Sequence, residues 1–221
     1  MSSTSPWPLS AIEASSADLV EQVRRRLAWW VEHPLQHARF LNTLSLMEHI
    51  GSRKIMVSQT YGPLGREVLK HLAEETRHAF FFKRAAEALA RRPLEYGEEE
   101  TIRPASARMY FGRLDAAIAA VLGRDTHIEV PYLYVSLTVE LRAIWTYQLY
   151  QSVLEERPGV LSLKSVLAEE ELHLKQMEVR LRELGADPAT FIPAFVPIED
   201  RLFRVLWSAL DGACAALQRA A

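Results

Sequence analysis

The sequence predicts an all-α protein: a bundle of four long helices with one long crossover connection, one extra helix before it and another after it. Three observations carry this. Apolar residues recur at helical rather than alternating spacing along most of the chain. Two turn signals, TYGPLG at 60–65 and RPGV at 157–160, each divide a pair of helical segments of about 25 residues. Finally, LAEETRH at 72–78 returns as LAEEELH at 167–173, with five of seven positions alike at an offset of 95 residues.

The elements follow in order. After a Ser/Pro-rich start, Ser16 or Asp18 is placed to cap a first helix, LVEQVRRRLAWWVE, ending near Pro34. A second helix runs from about Leu35 to Gln59, with Phe40, Leu41, Leu44, Met47 and Ile55 at helical spacing. The turn at Thr60–Gly65 closes it, and a third helix runs to about Arg91, where RRP stops it. A connector of about 35 residues follows, long for a compact domain, with a short helix near Ser106–Leu122. The fourth long helix, Pro131 to Glu155, opens with VPYLYVSLTV, which by composition could pass for a strand. The polar–apolar order of ELRAIWTYQLYQSVLEE makes it helix. The fifth runs from about Leu161 to Leu184 and ends at Gly185 as C-cap. Beyond Asp187-Pro188, a Pro-broken segment leads to a last amphipathic helix, Asp200 to about Arg219.

The chain of 221 residues reads as one domain: extension and helix over 1–34, the four-helix bundle over 35–184, and a C-terminal extension and helix over 185–221. Apolar residues make up 49%, ample for a core. A formal net charge of −2 gives no bulk pull towards nucleic acid or an anionic membrane. The single cysteine, Cys214, excludes an intrachain disulfide and any CxxC motif. The N-terminus lacks the basic start and apolar run of a signal peptide, and no segment reaches the length of a membrane span. A cytoplasmic location without membrane association is the expectation.

The repeated acidic cluster carries the chemistry. If Glu75 has a partner at the same height on the preceding helix, that residue lies as far before the turn as Glu75 lies after it. Glu48 does, since the midpoint of 48 and 75 is 61.5, inside TYGPLG. Glu140 stands in the same relation to Glu170, with a midpoint of 155. Both pairs lie about 20 Å from their turns at about 1.5 Å rise per residue, near mid-helix. Residues i and i+3 share a helix face, so Glu75 with His78, and Glu170 with His173, reach one centre. Four carboxylates and two imidazoles suit a pair of divalent first-row ions. The four negative charges then meet four positive ones. Without metal, each clustered carboxylate would cost several kcal/mol or take up a proton. Histidine ligates only when neutral, so loading weakens below about pH 6.

Glu, then Glu-x-x-His, a long crossover, then Glu and Glu-x-x-His again resembles the ferritin-like di-iron carboxylate proteins over residues 36–184. That resemblance implies a ferritin-like four-helix bundle whose six ligands are Glu48, Glu75, His78, Glu140, Glu170 and His173. The family includes bacterioferritins, rubrerythrins, ribonucleotide reductase small subunits, multicomponent monooxygenases and a tRNA hydroxylase. The EETRH run is similar to the form seen in the monooxygenases. By that similarity Glu74 and Glu169 orient the ligating imidazoles; lying at i−4 from the histidines, they could instead be ligands. The implied cofactor is two iron ions, with manganese or a mixed Mn/Fe pair compatible with the same donors. The implied activity is that of an oxidase or monooxygenase using O₂ on a small-molecule substrate that the sequence does not specify. One cysteine cannot build a four-cysteine rubredoxin site, so a separate reductase would supply electrons. Ferroxidase-type iron handling and tRNA hydroxylation are the alternatives within the resemblance, and a homodimer is its implied assembly.

Other residues have ordinary readings beside functional ones. A lone Glu-x-x-His is a solvated pair; two copies about matching turns are not so easily dismissed. Ser45, Gly51 and Ser52 crowd Glu48 with small side chains, leaving room for a pocket or for close helix packing. Tyr147, two turns from Glu140, is a redox candidate or a core tyrosine. His71, one turn before Glu75, either joins the outer shell of the site or is simply polar. RRRLAWW is explained by an amphipathic helix with an arginine face. The last helix, with Leu202, Val205, Leu206, Leu210 and Leu217, caps the bundle or builds a dimer interface.

Overall fold

The computed structural model describes residues 8–58, 65–123, 125–157 and 161–220. Among them every regular element is helical and no strand occurs. The helices are α1 (Leu9–Ser15), a 3₁₀ turn (Ala17–Leu19), α2 (Val20–Glu32), α3 (Pro34–Ser58), α4 (Arg66–Ala90), α5 (Pro104–Leu122), α6 (Glu129–Glu155), α7 (Lys164–Glu183) and α8 (Pro188–Ala220). The TYGPLG turn at 60–64, the RPGV turn at 158–160, the first seven residues and the side chain of Leu217 lie outside the described residues.

Two features, helix α1 and the continuity of α8, differ from the sequence reading, while the boundary at Pro34 and the helical opening of α6 agree with it. Helix α1 was not expected; it is too short to show a period, but Leu9 and Ile12, three apart, are both buried. Pro34 follows the end of α2 and opens α3, where a missing N–H costs nothing. The strand-like opening of α6 is helix throughout, with Val130, Leu133, Tyr134, Val135 and Leu137 all buried. Burial on a packed helix has overridden local propensity there. Lastly, α8 is continuous from Pro188, with Pro193 and Pro197 inside it. An interior proline costs a helix about 3 kcal/mol. The neighbouring Ile192, Phe195 and Val196 are buried at 1%, 0% and 6% exposure, which offsets that cost. Helix ends follow the expected chemistry: Arg91 takes a left-handed φ of 55° after α4, and Gly185 one of 73° after α7. Ala186 N–H then donates to Leu181 C=O at 2.9 Å, the closing bond of a glycine cap.

The described chain forms two compact units. One comprises Ala28–Gly112 and Phe203–Ala221. In it α3 and α4 pack antiparallel, in a register set by named pairs: Asn42 accepts from Lys83 at 3.0 Å, and Ser45 Oγ donates to Ala79 C=O at 2.6 Å. The partner numbers sum to 125 and 124, against 123 for Glu48 and Glu75. The connector after α4, whose Leu94 and Ile102 are buried, is tied to α3 by side-chain hydrogen bonds. Asn42 donates to Glu95 and Glu100 C=O, Arg39 to Thr101 C=O, and Thr43 Oγ1 accepts from Ile102 N–H at 2.7 Å. Trp30 stacks on Phe40 at 4.1 Å and meets Trp207 edge-on at 5.8 Å, while its indole N–H points at Cys214 Sγ.

The other unit comprises Met1–Leu27 and Arg113–Leu202. Here α6 and α7 pair antiparallel: Arg180 forks onto Glu129 at 2.9 and 3.0 Å, and Gln151 accepts from Leu163 N–H at 2.7 Å. Those sums, 309 and 314, bracket 310 for Glu140 and Glu170. On the far side of α6, about 200° from Glu140, Arg142 makes a buried fork with Glu199, its shortest bond 2.6 Å. It also donates to Ser16 Oγ at 2.9 Å and lies over Trp145 at 4.9 Å.

His37, on α3, is 1% exposed, and burial lowers its pKa from 6.5 to about 4. The unfolded chain therefore takes up this proton first as pH falls. Stability from this residue is complete above about pH 6.5 and declines towards pH 4, by about 3 kcal/mol in total at 1.36 kcal/mol per pH unit. Urea unfolding at pH 7 and pH 5 should show the wild type losing about 2 kcal/mol more than His37→Gln. Parallel losses would show that His37 does not titrate as its burial implies.

Candidate metal centre

Helix α4 presents one face of ionisable groups. His71, Glu75 and His78 occupy i, i+4 and i+7, one stripe of a 3.6-residue helix, and all three are buried. Between them, Ala73, Thr76 and Arg77 are exposed. Glu75 Oε1 lies 3.5 Å from His71 Nε2 on one side and 3.9 Å from His78 Nδ1 on the other. Across from this stripe, α3 contributes Glu48, 8% exposed. A Cβ on Gly51, one turn on, would sit 3.2 Å from Glu75 Oε2, so the carboxylate would have to give way by a few tenths of an ångström. The space that the small residues around Glu48 leave is thus taken, at Gly51, by the Glu75 carboxylate. The Ser45 to Ala79 hydrogen bond pins α3 to α4 beside both Glu48 and His78, and Tyr96 OH lies 2.8 Å from the same Ser45 Oγ. Burial raises the Tyr96 pKa, so its phenol holds its proton.

Helices α6 and α7 present the second set. Glu140 is 6% exposed, and Glu170 and His173 are 1% exposed each. His173 Nδ1 and Glu170 Oε2 are 2.8 Å apart. Glu74 and Glu169, one residue before each buried glutamate, are half-buried, and Glu74 forms an ion pair with Lys70 at 3.1 Å. Tyr147 is buried two turns along α6 from Glu140.

Two groups of buried side chains bring one ligand atom each within 4.8 Å of all the others: His71, Glu75, Glu140 and His173, and Glu48, Glu75, His78 and Glu170. Glu75 belongs to both. The six residues predicted as ligands fall in these groups, and the structure adds His71. The donors fit a metal ion. Two atoms each bound at about 2.1 Å lie about 3.0 Å apart at a right angle and at most about 4.2 Å apart across the ion. Within the groups, His71 to Glu75 at 3.5 Å and His78 to Glu75 at 3.9 Å fall inside that window. All donors are carboxylate oxygens or imidazole nitrogens, which suit divalent first-row ions. His71 had a visible signal, since it stands i−4 from Glu75 on the His78 face. Tyr96 had none, because the Ser45 contact spans 51 residues of chain.

Compared with protein-family models, curated proteins and solved structures, the chain finds no match.

Gly51→Ala separates the site from the fold. The substitution gains about 1 kcal/mol of helix propensity yet crowds the Glu75 carboxylate. The metal-free protein should melt at or above the wild-type temperature by circular dichroism, while divalent-metal affinity falls about ten-fold. Unchanged affinity would show that Glu75 needs no such clearance.

Proposed function

We propose that the chain is a di-metal carboxylate protein of ferritin-like architecture, holding two iron ions and using them to activate O₂ as an oxidase or monooxygenase. The observation that carries this reading is the pair of buried Glu/His groups sharing Glu75. In this reading Glu48 and His78 serve one ion, Glu140 and His173 the other, and Glu75 lies between them. Glu170 stands in the group of Glu48 and His78 yet lies 2.8 Å from His173 of the other group, which suits a carboxylate shared between the two. Glu74 and Glu169 orient the ligating groups from the next position. Two iron ions so held supply the electrons that reduce O₂.

The protein's own residues do the remaining work. Burial keeps bulk water from the ligand carboxylates, and the ordered α3–α4 and α6–α7 pairs hold them in register. Tyr147 is the candidate for passing an electron or proton along α6, and a separate reductase returns electrons. The substrate is a small molecule whose identity the ligand set does not specify; a homodimer working in the cytoplasm completes the proposal.

Oxygen consumption tests it. Anaerobic protein loaded with Fe(II) and then exposed to O₂ should oxidise its iron at least about ten-fold faster than Glu170→Ala, since a ligand matters at least as much as the 10–100-fold of its outer contacts. Size-exclusion chromatography should show a small oligomer. Iron oxidation no faster than in the variant contradicts O₂ activation at this site, and elution as a particle of many chains would assign the chemistry to iron storage.

A further inference from the structure

On the di-metal reading just given, six ligands are expected, three from each Glu plus Glu-x-x-His set. The two sets are related by an offset of 95 residues at Glu75 and Glu170, which places Val166 opposite His71. The repeat therefore breaks at this position, and it breaks by adding a metal-binding side chain. His71 is buried, its Nε2 is 3.5 Å from Glu75 Oε1, and it joins Glu75, Glu140 and His173 in one group of mutually close ligand atoms.

We infer that His71 is a seventh metal ligand, and that it gives one metal position a second imidazole that the other lacks. With it, one position has two carboxylates and two imidazoles, and the other three carboxylates and one imidazole. Glu75 Oε1 is flanked by imidazole nitrogens from both sides along α4, at 3.5 and 3.9 Å, so the two histidines face the same carboxylate from opposite ends. The geometry is the helix's own: i−4 and i+3 are the two positions that flank a residue on its face. A buried imidazole there could have been a helix-packing residue only. Its nitrogen, however, points at the one carboxylate common to both groups. The position with two imidazoles holds its ion with more nitrogen donation than the other. Nitrogen donation favours cobalt and zinc over manganese.

Cobalt(II) alone, titrated anaerobically into the full-length protein, reads this out through its visible absorption and by metal counting. The wild type should bind two ions per chain. His71→Gln should retain one ion at wild-type affinity and weaken the other at least about ten-fold, with the loss confined to one of two spectral components. Circular dichroism of the metal-free variant checks its fold. Should it not fold, His71→Ala with added imidazole serves, and imidazole should restore the lost cobalt component. Two ions bound at undiminished affinity by the variant, or a restored fold with no imidazole response, overturns the role of His71 and leaves the di-metal reading standing. No cobalt bound by the wild type overturns both.

Discussion

An ionised carboxylate in a protein interior costs several kcal/mol unless positive charge meets it there, and this chain buries five glutamates among its described residues. The structure shows one way of meeting that constraint, and the proposed function supplies a second. At Glu199 the positive charge comes from the chain itself, as the Arg142 fork, supported by Ser16 and the face of Trp145. At Glu48, Glu75, Glu140 and Glu170 the close neighbours in each group are histidines and one another. In the proposed reading two metal ions complete that balance, and the helices around them are arranged accordingly.

The arrangement depends on register. A helix shifted by one residue against its partner turns a side chain by about 100° and moves it about 1.5 Å, enough to take a carboxylate out of a group. The register is held by residues outside both groups: by Ser45 on Ala79 and Lys83 on Asn42 in one pair, and by Arg180 on Glu129 and Leu163 on Gln151 in the other. Gly51 then leaves the clearance that Glu75 occupies. In the proposed function these uncharged or distant contacts matter as much as the ligands.

The pairing of Glu48 with Glu75 was legible in the sequence, because the two lie equally far from the middle of the α3–α4 connection and share a group. The same arithmetic for Glu140 and Glu170 gives 155, the last residue of α6 and not the middle of the connection, and these two stand in different groups. The all-helical class was legible from apolar spacing. What escaped depends on contacts distant in sequence. The prolines of α8 read as breakers because the burial of Ile192 and Phe195 that offsets them is a tertiary fact. The Arg142–Glu199 pair spans 57 residues and leaves no pattern. His71 was visible as a neighbour of Glu75 but unremarkable until its burial and its 3.5 Å approach were known.

Glu75 is the residue on which the account turns, since it alone stands in both groups. The direct test is to load the protein anaerobically with Fe(II), desalt it, and count iron per chain in the wild type and in Glu75→Ala. The account predicts two irons in the wild type and almost none in the variant, from one substitution. Equal iron in both, or none in either, would contradict it.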